Sequence, residues 1–263
     1  MLEGSRTRRG LRQLARRAGR EQQALDAYNS LLRMLEGPRA RRNRHDDEHV
    51  RLLAAAVLGS NSNCVDVGAN EGQLLATFSE LAPHGRHIAY EPIPRLSAAL
   101  GRRFPHVDIR TTAVSDFSGE SEFVVNKRLP SRSSLRPVGT PAKHAQTIRV
   151  PVVTLDSSLP RGYAPRLLKV DVEGAEHLVL EGARETLRVH RPVIVFEHQS
   201  TTAPHYGSGP ERVFALLVRE LGMRIFDMDG AGPYSLPAFR TAFERGTRWN
   251  FFAAPELPHS AMR

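Results

Sequence analysis

The sequence predicts an α/β fold in which helices cover both faces of a mostly parallel sheet. Short apolar, strand-like segments alternate with amphipathic, helix-like segments over most of the 263 residues. Repeated β-α units of this kind indicate a parallel sheet, because each helix carries the chain back across one face. The length allows one large domain or two small ones, with enough residues for a packed core.

The alternation begins near residue 49 and runs regularly to residue 114. Apolar spacing predicts helices over residues 49–58, 73–81 and 94–104, and strands over residues 64–67, 87–90 and 107–114. Gly59, Ser60 and Asn61 end the first of these helices, as expected for a turn that precedes a strand.

A break in the alternation covers residues 115–153. Two strand-like segments, 120–126 and 148–153, flank a loop rich in serine, proline and arginine over residues 127–143. We interpret this region as an inserted β-hairpin with a long tip. Long loops inside compact domains frequently act as lids or binding loops.

The alternation then resumes and continues to the end of the fold. Strands are predicted over residues 167–172, 193–196, 224–228 and 249–253, and helices over residues 175–187 and 211–221. Pro233 and Pro237 interrupt the last connection, so no helix is expected there. The final two strands are therefore expected to form an antiparallel pair at one end of the sheet.

Most of the net charge of +9 belongs to the first 44 residues. This segment holds twelve arginines and four acidic residues, whereas residues 45–263 carry a net charge of +1. A helical period over residues 25–35 stops at Gly37-Pro38, and residues 39–44 read as a turn-like linker. We predict a basic, partly helical extension over residues 1–44 and one domain over residues 45–263.

The extension has several interpretations. It is either a solvated segment without a partner, or an arm attracted to an anionic membrane surface or to nucleic acid. An organelle transit peptide fits less well, because acidic residues interrupt the basic pattern.

Composition excludes several classes of protein. An apolar content of 40% and a charged content of 25% exclude wholesale disorder. The longest apolar run, residues 52–58, is far shorter than the ~20 residues of a membrane span. Cys64 is the only cysteine, which excludes an intramolecular disulfide or a zinc site built on cysteine pairs. No secretory pattern is recognised at the start, so a cytoplasmic location is expected, with peripheral membrane contact through the extension as an option.

A glycine loop, Asp66-Val67-Gly68-Ala69-Asn70-Glu71-Gly72, joins the first strand to the next helix. Glycine lets a ligand approach the backbone, and a helix N-terminus offers unpaired N–H groups. Asp66 is expected to face the crevice at the carboxyl end of the sheet. The loop lacks the Gly-x-x-x-x-Gly-Lys-Ser/Thr pattern of a P-loop. It also lacks the dinucleotide pattern Gly-x-Gly-x-x-Gly, since Asn70 replaces the second glycine.

Two further acids follow the next two strands. Glu91 ends the second strand, where a carboxylate can bind both hydroxyls of a ribose. Asp116 is expected at the end of the third strand, where its carboxylate can accept a hydrogen bond from an adenine amino group. Each acid alone is more often a cap or part of a salt bridge. Together with the glycine loop, the three acids predict a nucleoside site for a ligand with an ammonium group, which favours S-adenosylmethionine over NAD.

A charged segment occupies the predicted central strand. On a strand, Lys169, Asp171 and Glu173 would share one face, which is unusual for a buried parallel strand. The segment is either a salt-bridge network or the wall of an active site with Asp171 and Glu173 beside the reacting group.

His198 follows the next strand and is a candidate proton acceptor, although a lone histidine there is usually structural. A cation held by Asp171, Glu197 and His198 is a weaker alternative, and no metal site is predicted.

In this order, the motifs resemble the FkbM-type family of S-adenosylmethionine-dependent methyltransferases. The resemblance rests on five segments: the glycine loop 66–72, Tyr90-Glu91-Pro92, residues 113–120, Thr154-Leu155-Asp156 and residues 168–176. It covers residues 61–200 closely and does not extend to residues 1–44.

The resemblance implies a seven-stranded, Rossmann-like class I methyltransferase fold with an antiparallel last strand. It implies methyl transfer, typically to a hydroxyl oxygen of a sugar or another natural-product or polysaccharide intermediate. It also implies roles for individual residues: Asp66, Gly68, Asn70 and Gly72 in the cofactor pocket, Glu91 at the ribose, Ser115 and Asp116 at the adenine, and Asp171 and Glu173 at the transferred methyl group.

Rival functions make different predictions. A nucleic-acid methyltransferase recruited by residues 1–44 would bind RNA with steep salt dependence. A non-catalytic scaffold would bind the cofactor without turnover. An NAD oxidoreductase is disfavoured by the glycine pattern.

Overall fold

The structure is a computed structural model that describes residues 37–255. The helix predicted over residues 25–35, and with it most of the proposed extension, lies outside the described residues. The chain divides into two compact units, residues 1–48 and residues 49–263. The boundary proposed after residue 44 remains a prediction.

The strands within residues 37–255 fall into two sheets. In chain order they are β1 (Asn63–Val67), β2 (Ile88–Tyr90), β3 (Asp108–Arg110), β4 (Ala113–Val114), β5 (Gly119–Asn126), β6 (Ala145–Val153), β7 (Pro165–Val170), β8 (Val193–Glu197), β9 (Met223–Asp227) and β10 (Asn250–Pro255). The main sheet has seven strands in the order β3-β2-β1-β7-β8-β10-β9. β10 is antiparallel to both β8 and β9, and the other pairs are parallel. The mostly parallel sheet with an antiparallel last strand is confirmed.

The second sheet contains the insertion. β5 and β6 pair antiparallel along their whole length, which confirms the predicted hairpin, and β4 pairs parallel with β6. The single strand predicted over residues 107–114 is wrong. Residues 108–110 belong to the main sheet and residues 113–114 to the second, because pairing with the insertion draws the chain away from β2.

Helices connect the strands of the main sheet. They are α1 (Pro38–Val57), α2 (Gln73–Leu81), α3 (Pro94–Arg103), α4 (Leu155–Ser158), α5 (Glu176–Glu181), α6 (Arg184–His190), α7 (Pro210–Phe214), which continues as a π-helix over Ala215–Glu220, and α8 (Leu236–Arg245). Among the described residues, no helix combines the length and the apolar content needed to cross a membrane.

Three local predictions about helices are wrong. Residues 39–44 are helical and not a linker, because Pro38 begins α1 at the position where proline is tolerated. Residues 175–187 form two short helices, separated at Gly182 and Ala183. A helix, α8, does join the last two strands: Ser235 caps it and Pro237 lies in its first turn, where no backbone donor is lost.

The core lies on both faces of the main sheet. Its central strands are almost entirely apolar and buried, with Leu167, Leu168 and Val170 on β7 and the residues from Val193 to Phe196 on β8. Strands buried on both faces favour this composition. The carboxyl ends of β1, β2, β7 and β8 therefore meet at one edge of a rigid platform, where open α/β sheets bind their ligands.

Candidate active site

A cleft opens at this edge of the sheet, at the ends of β1, β2 and β7. It contains about 540 Å³ of empty space, part of which is open to solvent. Gly68, Asn70, Glu91, Asp171 and Glu173 all line it, so the structure brings together five of the ten predicted site residues.

Gly68 forms the floor of the cleft just after β1. Its φ of +80° favours glycine, and a Cβ atom there would lie only 1.9 Å from the carbonyl oxygen of Asp171. The backbone N–H groups of Gly68 and Ala69 both donate to the carbonyl oxygen of Tyr90, at 3.0 and 3.1 Å. The missing side chain thus lets the loops after β1 and β7 meet at the cleft.

Gly72 has a different role from the predicted contact with a cofactor. It is not among the residues that line the cleft. Its φ is +73°, and a Cβ atom would lie 2.6 Å from a methyl carbon of Leu100 and 2.7 Å from the ring of Phe104. Glycine at this position lets the start of α2 pack against α3.

Glu91 lies directly after β2 and joins two parts of the cleft wall. Its Oε2 accepts the N–H of Asn70, and its Oε1 accepts the N–H of Ile93, both at 2.9 Å. Burial raises the pKa of Glu91, and the two hydrogen bonds partly offset that effect. The carboxylate thereby holds Asn70, whose φ is +47°, in place on the cleft wall.

Lys169 lies beneath the cleft and connects three groups. Its Nζ is 2.7 Å from the carbonyl oxygen of Gly68, 3.2 Å from Oδ1 of Asp66 and 3.7 Å from Oδ2 of Asp171. Burial alone would lower the pKa of Lys169, but the two aspartates outweigh it and raise that pKa. Burial raises the pKa of Asp66, and Lys169 opposes that shift. Asp66 is thus a buried partner of Lys169 and not a residue of the cleft lining.

The loop after β7 carries Asp171 and Glu173. β7 ends at Val170 and Glu173 has a φ of +58°, so the prediction that Lys169, Asp171 and Glu173 share one face of a strand is wrong. Glu176 holds the loop, because its Oε1 accepts the N–H groups of Val172 and Gly174, each at 3.0 Å. Burial raises the pKa of Glu176 to about 7.

Glu197, the last residue of β8, joins this acidic group. Carboxylate oxygens of Asp171, Glu173 and Glu197 lie within 4.8 Å of one another. Burial and then the charges of Asp171 and Glu173 raise the pKa of Glu197 well above its usual range. Burial and the neighbouring carboxylates thus disfavour the ionised form of Glu197.

His198 does not reach the cleft, although the sequence made it a candidate proton acceptor and cation ligand. It is fully buried, and its ring lies between those of Phe239 and Phe243, with centroid distances of 5.8 and 4.6 Å. Burial lowers the pKa of His198 to about 3. An imidazole that stays neutral inside an apolar cluster supports packing and not proton transfer, so this prediction has no structural support.

Ser115 and Asp116 lie next to the cleft and not on it. Both follow β4 in the second sheet, so the expectation that Asp116 ends the third strand of the main sheet is wrong. The preceding Val114 lines the cleft, whereas Ser115 is buried and donates to Oδ1 of Asp116 at 3.1 Å.

The insertion contributes lining residues that the sequence did not identify individually. Pro130, Ser131, Ser133 and Leu135 line the cleft together with the loop after β7. The length of the loop between the two hairpin strands was the only signal for this role, since none of these residue types carries distinctive chemistry.

The order of the main sheet and the glycine loop facing Glu91 define a Rossmann-like protein with a cleft at the carboxyl edge of its sheet. A family model described as the methyltransferase FkbM domain matches residues 66–225. The chain belongs to the FkbM methyltransferase family, as its motifs predicted. Family membership indicates S-adenosylmethionine as the cofactor, and the residues fit it: bare backbone at Gly68 and the carboxylate of Glu91 both face the same cleft.

Several solved methyltransferase structures are similar to this chain at low sequence identity. The methyltransferase FkbM from Methylobacillus flagellatus KT is 15% identical, with a TM-score of 0.48, over 75% of this chain and 44% of that one. The N-methyltransferase NodS from Bradyrhizobium japonicum WM9 is 15% identical, with a TM-score of 0.43, over 82% and 97%. The plantazolicin methyltransferase BpumL, in complex with SAH, is 12% identical, with a TM-score of 0.43, over 83% and 90%. The chain thus spans less than half the length of the first of these. No curated protein matches it.

Proposed function

We propose that the chain is an S-adenosylmethionine-dependent O-methyltransferase acting on a hydroxyl group of a sugar or of another natural-product or polysaccharide intermediate. One observation carries the proposal: in a member of the FkbM methyltransferase family, a single cleft joins the glycine loop and Glu91 to the carboxylates of Asp171 and Glu173.

The cofactor would lie along the glycine loop. Gly68 and Asn70 would contact it through the backbone, and the carboxylate of Glu91 would accept from the ribose hydroxyls with the lone pairs that Asn70 and Ile93 leave free. Ser115 and Asp116, which follow the lining residue Val114, would border the adenine. Asp66 and Gly72 would support this site from beneath without touching the cofactor.

S-adenosylmethionine supplies a methyl group that its sulfonium already activates. The chain therefore has two tasks, to position the acceptor hydroxyl and to take its proton. Asp171 is the first candidate for the proton acceptor, because its side chain is 47% exposed and lines the cleft. Glu173 lines the same wall and is the second candidate.

A panel of hydroxylated sugars and glycosylated metabolites, incubated with S-adenosylmethionine, tests the proposal through the release of S-adenosylhomocysteine. With an accepted substrate, Asp171→Asn should lower turnover about 100-fold while calorimetry shows nearly unchanged cofactor affinity. Asp108→Asn, an exposed carboxylate on the edge strand β3, is the matched control. Normal turnover in Asp171→Asn would remove Asp171 from the mechanism. Tight cofactor binding without turnover on any acceptor would favour a scaffold over an enzyme.

A further inference from the structure

The insertion carries a concentrated positive charge. Residues 127–144 contain five basic side chains and no acidic one. We call these five residues the basic rim: Lys127, Arg128, Arg132, Arg136 and Lys143. The remainder of residues 45–263 holds 20 basic and 24 acidic side chains, so this short segment is net basic within an otherwise slightly acidic body.

The basic rim alternates along the chain with residues that line the cleft. In the sequence, Arg132 lies between Ser131 and Ser133, and both serines line the cleft. Leu135, which precedes Arg136, also lines it. The rim therefore belongs to the same stretch of chain as four residues of the cleft lining, Pro130, Ser131, Ser133 and Leu135.

Hydrogen bonds hold the backbone of the rim. Oδ1 of Asn126 accepts the N–H groups of Arg128 and Leu129 at 3.0 and 2.9 Å, while the N–H of Asn126 donates to Oγ of Ser133 at 2.9 Å. Val124 and Ser134 exchange both backbone hydrogen bonds, at 2.8 and 3.1 Å. Positions 128 and 132 are thus fixed at the two ends of an ordered turn.

A second contact ties the insertion to the segment that follows β8. The N–H of Arg136 donates to the hydroxyl of Tyr206 at 2.9 Å, and the guanidinium of Arg136 lies 5.2 Å from the centre of the same ring. That guanidinium also donates to the carbonyl oxygen of His205. Arg136 therefore serves mainly to anchor the rim.

The other four basic side chains of the rim are not anchored in this way. Lys127, Arg128, Arg132 and Lys143 are exposed, and within residues 37–255 none of them forms an ion pair with a carboxylate. Like charges gathered without counter-charges repel one another, and an anion bound among them relieves that repulsion.

We propose that the basic rim binds an anionic group, a phosphate or a carboxylate, on the acceptor that enters the cleft. This inference rests on the proposed function and specifies its substrate class: an acceptor whose hydroxyl meets Asp171 while its anionic group meets Arg128 and Arg132. Within residues 45–263, a small anion fits better than a nucleic acid, because the charge outside the rim is net acidic there and provides no extended basic track for a polyanion.

Calorimetry on the full chain, saturated with S-adenosylhomocysteine, tests this inference with two simple probes. Inorganic pyrophosphate represents phosphate-bearing acceptors and citrate represents carboxylate-bearing ones, each at constant ionic strength. The double variant Arg128→Gln/Arg132→Gln should weaken binding of the preferred probe about tenfold. Arg161→Gln/Arg245→Gln removes the same charge from two exposed positions outside the rim and should leave that affinity unchanged.

Two results would overturn the inference. One is equal affinity of the wild type and the rim variant for both probes, or an equal loss in the control variant. The other is much tighter binding of a 20-nucleotide single-stranded oligonucleotide than of pyrophosphate, through Arg128 and Arg132. That result would favour a nucleic-acid acceptor.

An activity measurement sharpens the result. Once an acceptor is methylated, its phosphorylated or carboxylated form should have the lower KM, and Arg128→Gln/Arg132→Gln should raise that KM while kcat stays nearly constant. The probe titration decides the inference even when no acceptor is methylated, so its failure is distinguishable from failure of the proposed function.

Discussion

The two sides of the cleft are built in opposite ways. The floor consists of the glycine loop, Glu91 and Lys169; Asp66, Glu91 and Lys169 are buried, and both Glu91 and Lys169 bond to backbone groups of neighbouring loops. The basic rim is exposed, and most of its charges have no partner among residues 37–255. A site that binds the same cofactor in every cycle benefits from preorganised contacts, whereas a surface that selects an acceptor needs groups free to bind it. The floor thus carries the motifs of the family, and the rim is the part that we propose selects the substrate.

The largest expected contrast between floor and rim is the loss of a lysine from each. Lys169→Met leaves Asp66 buried without its partner and should reduce the free energy of unfolding by about 3–5 kcal/mol at pH 7. Lys127→Met removes an exposed charge and should change the free energy of unfolding by less than about 0.5 kcal/mol. Chemical denaturation measures both. Similar effects for the two variants would break the distinction between floor and rim.

The pH dependence of stability tests the buried Glu176. Its pKa in the folded state, about 7, lies above its unfolded value, so the folded state retains a proton that the unfolded state loses. Its contribution is fully present below about pH 4.5 and is lost as the pH rises through 7. Glu176→Gln keeps an acceptor for Val172 and Gly174 but has no proton to lose. Its stability relative to the wild type should therefore rise by about 2–3 kcal/mol between pH 5 and pH 8, and a constant difference would contradict this account.

Two glycine substitutions separate the floor from the outer surface. Gly68→Ala places a Cβ atom against the carbonyl oxygen of Asp171 at a positive φ, which should cost about 2 kcal/mol or more of stability and abolish binding of S-adenosylhomocysteine. Gly101→Ala, in the exposed part of α3 with no neighbouring atom within 4 Å, should instead stabilise the protein by about 0.5–1 kcal/mol. Thermal unfolding and calorimetry report the two effects, and normal binding by Gly68→Ala would refute the close approach at the floor.

A smaller effect is expected from Glu91. Glu91→Ala should weaken cofactor binding by about 2 kcal/mol, because it removes both the proposed ribose contact and the bond that holds Asn70. Glu91→Gln retains an acceptor oxygen and should therefore lose less cofactor-binding free energy than Glu91→Ala. Equal calorimetric affinity in the wild type and Glu91→Ala would rule out the ribose assignment.

The sequence predicted those features that depend on local pattern. The alternation of strands and helices, the inserted hairpin and the glycine loop all follow from residue periodicity and from glycine at positions with positive φ. Gly68 and Glu91 were identifiable because they follow the carboxyl ends of two adjacent strands, β1 and β2. Such strand ends meet at one edge of a parallel sheet.

Two of the failures depend on partners that are distant in sequence, and the third depends on a local helix cap. His198 points away from the cleft because side chains alternate along a strand, and its neighbours Phe239 and Phe243 belong to a helix some 40 residues further on. The split between β3 and β4 arises from pairing with β6, which is also remote in sequence. Pro237 suggested an interruption, but its position within the first turn of α8 depends on the cap at Ser235.

Calorimetric titration with S-adenosylhomocysteine, with NAD as the control ligand, tests the central claim most directly. If the cleft at the ends of β1, β2 and β7 is a methyltransferase cofactor site, the wild type should bind S-adenosylhomocysteine with micromolar affinity and should not bind NAD. Absence of S-adenosylhomocysteine binding, or equal binding of NAD, would contradict the assignment of the cleft.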